Sequence, residues 1–174
     1  MKIIFTILGS LLLIISCSKN DKKQFFIVEN KREKKIDTLY YINKVERKKD
    51  SLIITNTFSA ITETFYLNLK TNSGIYKGNP MNASKIRVLP SILLHTSDST
   101  YSIMPIFLYD PKSVDKNLIY YWNDYLGLFY FKSLSWGNSG YALGENSDKN
   151  NKIIKAKNIL DTLNFTIHNI IDSL

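Results

Sequence analysis

The sequence predicts an α+β fold: a single antiparallel β-sheet, a meander or half-barrel, followed by one C-terminal amphipathic helix. Two observations carry this. Between Ile36 and Leu134, short apolar runs alternate with period two and are separated by turn residues. Towards the C-terminus the period changes. Ile153, Ala156, Leu160, Leu163, Ile167, Ile170 and Leu174 recur at steps of three and four, which places them on one helical face. Strands first and a helix afterwards is the segregated pattern of an α+β domain.

The elements follow in chain order. Phe25-Phe26-Ile27-Val28 reads as a short first strand inside a polar stretch. From Ile36 the alternation is clear: Ile36, Thr38, Tyr40 and Ile42 share one face, with Leu39 and Tyr41 on the other. Glu46-Arg47-Lys48-Lys49-Asp50 interrupts the run, and Leu52-Ile53-Ile54-Thr55 resumes it as the second arm of a hairpin. In residues 60–70, Ile61, Phe65, Leu67 and Leu69 point one way and Thr62, Thr64 and Asn68 the other. Thr71-Asn72-Ser73-Gly74 is turn chemistry, and residues 77–85 read as a loop. Ile86–Leu89 is a candidate strand entering Pro90. Ser91–His95 and Tyr101–Tyr109 are two strands about a Thr96–Thr100 turn. Pro105 lacks the ladder donor, so that strand is expected at an edge or bulged. Leu118–Trp122 and Leu128–Leu134 flank Asn123-Asp124-Tyr125-Leu126-Gly127 as the clearest hairpin. A short Tyr141-Ala142-Leu143 element precedes the helix, which starts at Ser147-Asp148. Asn164-Phe165-Thr166 are poor helix formers and predict a break there.

The N-terminus sets the address. Lys2 is followed by an apolar run over residues 3–15, ending at Ile14-Ile15-Ser16-Cys17. Thirteen apolar residues fall short of the ~20 that span a bilayer, and a charged start with a small residue before the cut marks a secretory signal. The segment resembles the signal peptide and lipobox of bacterial lipoproteins. The resemblance implies removal of residues 1–16, a diacylglyceryl thioether on Cys17, and attachment to membrane lipid through that residue. Several acyl chains on one residue give stable anchoring. Ser18 rather than Asp after the cysteine implies the outer membrane, and the absence of an acidic run there implies the periplasmic leaflet rather than the cell surface or the inner membrane. The expected organisation is a signal peptide over 1–16, a lipidated basic tether over 17–35, and a β-rich globular domain with its helix over 36–174.

Composition narrows the chemistry. The mature chain has about 158 residues, enough for one core. Cys17 is the sole cysteine, so a lipidated chain has no disulfide, thiolate metal ligand or cysteine nucleophile. Residues 19–50 hold 11 Lys/Arg against 6 Asp/Glu, while residues 51–174 hold 11 against 9. The basic excess therefore sits beside the proposed lipid, where cations meet anionic head groups. Export argues against a nucleic-acid partner.

No motif assigns a reaction. His95 and His168 lack a second ligand at metal spacing, so no metal site and no cofactor are expected. Gly137-Asn138-Ser139-Gly140 resembles the segment around a chymotrypsin-like nucleophile, with His95 and Asp110 in the corresponding order. Asn138 replaces the expected Asp and the His-to-Ser span is too short, so a glycine turn is the better reading. Glu63, Asp110, Asp115, Asp124 and Glu145 are the carboxylates that a glycosidase-like pair would draw on. Asp-Ser/Thr-hydrophobic tripeptides at Asp37, Asp50, Asp161 and Asp172 resemble an O-glycosylation signal of exported proteins. The aromatics Tyr120, Tyr121, Trp122, Tyr125, Phe129, Tyr130, Phe131, Trp136 and Tyr141 form either a thick core or an exposed platform. Trp122, Tyr125 and Trp136 are the candidate ligand- or partner-binding residues of that platform. Tyr121–Leu128 resembles the aromatic–turn–Gly-Leu segment of the LolA-like sheet-plus-helix lipoproteins, which hold or shuttle acyl chains. The expected function is a non-enzymatic envelope lipoprotein that binds a protein, an acyl chain or a glycan. The alternatives are a hydrolase of an envelope polymer using paired carboxylates, and a structural linker from membrane to wall.

Overall fold

The computed structural model describes residues 24–59, 61–78, 84–110, 113–134 and 137–163. The strands are β1 (Gln24–Asn30), β2 (Lys35–Lys48), β3 (Ser51–Phe58), β4 (Ile61–Asn68), β5 (Ser73–Lys77), β6 (Ser84–Val88), β7 (Ile92–His95), β8 (Thr100–Asp110), β9 (Ser113–Asn123), β10 (Gly127–Ser133) and β11 (Asn138–Gly144). One helix follows, α1 (Ser147–Thr162). The α+β class holds, but the sheet is a closed barrel of ten strands rather than an open meander or half-barrel.

Closure rests on one long strand. Residues 100–103 of β8 pair with β7, whereas residues 106–109 pair with β6. The other edge of β8 pairs with β9, and β11 returns to β1. Each ring strand thus has two antiparallel neighbours, while β7 pairs with β8 alone among the described residues. Pro105 sits where β8 changes partner, between the last residue bound to β7 and the first bound to β6. Its missing N–H falls in that gap, while its carbonyl accepts from Leu89 N–H at 3.0 Å. The proline is therefore in the ring and not at a sheet edge.

Several elements differ from the sequence reading: Ser73–Lys77, partly read as a turn, forms β5, β9 opens at Ser113 rather than Leu118, and the short Tyr141–Leu143 element is the seven-residue β11. Residues 24–30, expected within the tether, form a full barrel strand paired on both sides. The barrel therefore starts at Gln24 rather than at residue 36. Glu46–Lys48 stay in β2, and the turn narrows to Lys49-Asp50. Ser84 and Lys85, expected in a loop, open β6.

Because the ring strands alternate in direction, the connections β1/β2, β3/β4, β5/β6, β8/β9 and β10/β11 lie at one end, called the mouth end. The β2/β3, β4/β5 and β9/β10 turns, together with Gln24, where the described chain begins, lie at the other, the entry end.

Alternation sorts the apolar residues into the barrel interior, with a smaller cluster of Phe26, Tyr41 and Ala142 on the β1/β2/β11 side, and a core outside it. The inner phase contributes Leu52, Ile54, Phe65, Leu67, Ile86, Ile106, Tyr120 and Trp122 to the barrel interior. Outward residues Ile119, Tyr121, Phe129 and Tyr130 form a second core under α1, which buries Ile153, Ala156 and Leu160 against them. A bulge between Leu128 and Tyr130 puts both Phe129 and Tyr130 on the outer side. Asn146 caps α1 by accepting from Lys149 N–H at 2.9 Å, one residue before the predicted start. The helix runs to Thr162 with Leu163 as its C-cap; the break expected at Asn164-Phe165-Thr166, and Ile167, Ile170 and Leu174 of the expected helical face, lie outside the described residues. Tyr130 donates to Asp161 at 2.5 Å, and Lys157 pairs with the same carboxylate at 3.1 Å, tying the last turn to the barrel wall.

Candidate functional site: a cavity at the barrel mouth

The barrel interior is not filled evenly. From the entry end towards the mouth, opposed residues of β3 and β4 form the layers Leu52/Leu67, Ile54/Phe65, Asn56/Glu63 and Phe58/Ile61. The first two layers are closed and apolar, with every one of these side chains 2 % exposed or less. Near the mouth the packing opens into a cavity of about 320 Å³. Its walls are Phe26, Val28, Leu39, Phe58, Ile61, Tyr120, Leu128 and Phe131, and its polar groups come from Asn56, Ser59 and Glu63. Leu39 is 44 % exposed although it belongs to the inner phase of β2, because it faces this space. Gly140 on β11 is needed beside it: a Cβ there would stand 2.3 Å from the Phe131 ring.

A polar belt crosses the apolar wall one layer below the rim. Asn43, opposite Asn56 in the β2–β3 register, donates through Nδ2 to Asn56 Oδ1 at 2.7 Å. Tyr76, opposite Phe65, reaches diagonally and donates to Glu63 Oε1 at 2.8 Å. Burial pushes the Glu63 carboxyl above the usual range, and the Tyr76 hydroxyl pulls it partly back. The Tyr76 and Tyr120 hydroxyls are raised, first by burial and then by the Glu63 charge, so both remain neutral donors. At roughly 30 Å³ per water-sized group, the cavity has room for about ten heavy atoms.

The residues that sequence reading singled out fall elsewhere. Trp122 lies inside the barrel towards the entry end, 6 % exposed, with the Arg47 guanidinium 5.8 Å from its ring centre and Asp124 paired to Arg47. Tyr125 is 51 % exposed on the β9/β10 turn, with Lys152 Nζ 5.3 Å from its ring centre. Cys17, Trp136 and His168 lie outside the described residues. Trp122 and Tyr125 thus do not make one exposed aromatic row. Tyr120 is inside the barrel, and Tyr121, Phe129 and Tyr130 are under α1, so the core reading of these aromatics holds.

The described catalytic candidates do not converge; the side chains of Asp110 and Asp115, at the β8/β9 connection, lie outside the described ones. His95 accepts or donates at 3.0 Å with Thr100 beside the β7/β8 turn, while Ser139 is buried on β11. Gly137 has φ +69° before β11, but Asn138, Ser139 and Gly140 are paired strand residues of β11 and not the expected glycine turn. Glu63 lines the cavity, whereas Asp124 and Glu145 sit at the entry end. Among the described residues, no three His, Asp, Glu or Cys side chains are grouped to hold a metal ion, and no helix is long and apolar enough to cross a membrane.

Sequence reading missed Asn43 and Asn56. The signal was present: in β3 the inner phase reads Leu52, Ile54, Asn56, Phe58, and in β4 it reads Ile61, Glu63, Phe65, Leu67. A polar residue in an otherwise apolar phase of a strand must find a partner or a ligand. No protein-family model matches the chain, and no curated protein or solved structure matches it either.

Proposed function

We propose that this protein is a lipid-anchored envelope module that binds one small, largely apolar molecule in the barrel mouth, with Cys17 as the anchoring residue. The observation that carries the binding reading is the mouth cavity: an apolar-walled space of about 320 Å³ with a few fixed polar groups, set above the closed Leu52/Leu67 and Ile54/Phe65 layers. Concave apolar sites of this kind, with few convergent polar groups, are where small ligands bind, and a barrel mouth is a common place for one. The lipobox sequence supports the anchor and the envelope address, with the periplasmic leaflet of the outer membrane as the favoured location. The hydrolase alternative needs two acids across a cleft, and Glu63 is the one carboxylate among the described cavity-lining residues.

The test is extraction of the protein from its own envelope under mild detergent, followed by mass spectrometry of bound small molecules. Leu39→Trp, which fills the cavity, is the control. An apolar compound near one equivalent in the wild type and absent from the variant is the expected result. Equal loading of the two proteins would overturn it.

A further inference from the structure

We infer that the mouth cavity selects an amphiphile of about ten heavy atoms whose polar end is a hydrogen-bond donor, an amine or a hydroxyl, and that it discriminates against the matching carboxylate. This rests on the cavity being a binding site and specifies what the site takes.

The polar belt decides the sign. Asn56 and Glu63 are directly opposed across β3 and β4, and directly opposed residues of an antiparallel pair have Cβ atoms about 4.5–5.5 Å apart. They therefore present to the cavity as one patch. Glu63 uses Oε1 to accept from Tyr76. A carboxylate has two oxygens and about four acceptor sites, so the group has acceptor capacity beyond that bond. Asn56 accepts at Oδ1 from Asn43. No arginine, lysine or histidine is among the described lining residues. Among those residues an incoming carboxylate would thus meet an acid and no cation, with the neutral Asn56 amide as the nearby donor, in a space whose apolar walls weaken solvent screening. An ammonium or hydroxyl group meets an acceptor already oriented by Tyr76. Burial disfavours the charged form of the Glu63 carboxyl, and a cationic ligand beside it would favour that form.

The polar end also has a defined depth. Phe58 and Ile61 stand between the belt and the rim, while Ile54 and Phe65 close the space beneath it. The donor therefore goes in to the belt and the apolar body lies along Phe58, Ile61 and Leu39.

Decylamine, 1-decanol and decanoate, which share one chain length, are titrated into the full-length protein by calorimetry at pH 7.5. The expected order is amine, then alcohol, then carboxylate, with the amine at least tenfold tighter than decanoate. Glu63→Gln should bring amine and carboxylate within about threefold while decanol still binds. Tyr76→Phe, which keeps the charge, should retain the amine preference. Decanoate binding as tightly as decylamine, or a ratio unmoved by Glu63→Gln, overturns the selectivity while leaving the cavity as a site, because a ligand has bound. Binding of none of the three overturns both. If Glu63→Gln does not fold, the wild-type ratio alone decides.

Discussion

Leu39→Trp separates a ligand cavity from a packing flaw. Tryptophan brings six more side-chain heavy atoms than leucine into a space with room for about ten. If about half of the added atoms are shielded from water at ~0.8 kcal/mol per buried methylene-sized group, the gross gain is ~2.4 kcal/mol. Fixing a larger side chain and finding a polar contact for its indole N–H offset ~1–1.5 kcal/mol of that. The net expectation is a barrel more stable by about 1 kcal/mol, or roughly 3–4 °C in Tm for a domain of this size. Binding moves the other way. Excluding six ligand atoms at ~0.3 kcal/mol each removes ~1.8 kcal/mol, about 20-fold in Kd. Differential scanning calorimetry and decanol titration on the same two proteins read both effects. Loss of stability together with unchanged decanol affinity would refute the reasoning, since it would mean that position 39 does not face the ligand space.

Three further outcomes follow from named contacts. Gly140→Ala places a methyl group 2.3 Å from Phe131; the ring must swing into the cavity, so we expect a loss of ~1–3 kcal/mol in denaturant unfolding together with weaker decanol binding. Two opposed pH dependences are expected. Burial alone would raise Asp161, but the Tyr130 hydrogen bond and Lys157 outweigh it and hold the carboxyl below its ordinary value; its contribution is complete above about pH 4 and is lost as pH falls through the lowered value. Tyr130→Phe should therefore cost ~1–2 kcal/mol at neutral pH, and less in acid. Glu63 is raised, so it binds its proton more tightly folded than unfolded, and its ionisation erodes stability as pH rises above the ordinary carboxylate range. Glu63→Gln should gain stability at pH 7 and lose that advantage below about pH 4, read as denaturant midpoints against pH. Finally, Cys17→Ala should move the protein from the membrane pellet to the soluble fraction with unchanged Tm; retention in the pellet would count against the lipid anchor.

Much of the strand pattern was legible because side-chain direction has period two. The assignment of Leu39 and Tyr41 to one face of β2, and of Ile61, Phe65 and Leu67 to one face of β4, needs only local sequence. Closure was not legible. It depends on β8 leaving β7 for β6 at Pro105, a pairing between segments distant in sequence that local composition does not encode. Which face is inside was equally hidden. Ile36 and Tyr40 are as apolar as their neighbours, yet they stand 68 % and 69 % exposed on the outer wall, while Leu39 between them lines the cavity. The aromatic cluster is core, as one of the two sequence readings had it, but its division was hidden for the same reason: alternate residues of β9 belong to different cores, so a run that is dense in sequence divides between the barrel interior and the underside of α1.

The direction of the chain bears on how a ligand arrives. Gln24 is at the entry end, opposite the cavity. With Cys17 as the anchor, seven residues link the acyl group to β1, a reach of at most about 25 Å at full extension. The barrel is then held close to the bilayer by its entry end. Lys48 and Lys49 lie at that end, whereas Lys31, Arg32, Lys34 and Lys35 lie at the β1/β2 turn of the mouth end, so basic charge alone does not choose which end meets a bilayer. The mouth faces away, towards water. A ligand that enters there comes from the aqueous phase and must be slightly soluble on its own, which a two-chain membrane lipid is not and a molecule of about ten heavy atoms with a donor end is. The depth of the site and the position of the proposed anchor, which are independent features of the chain, thus call for the same size and polarity of ligand.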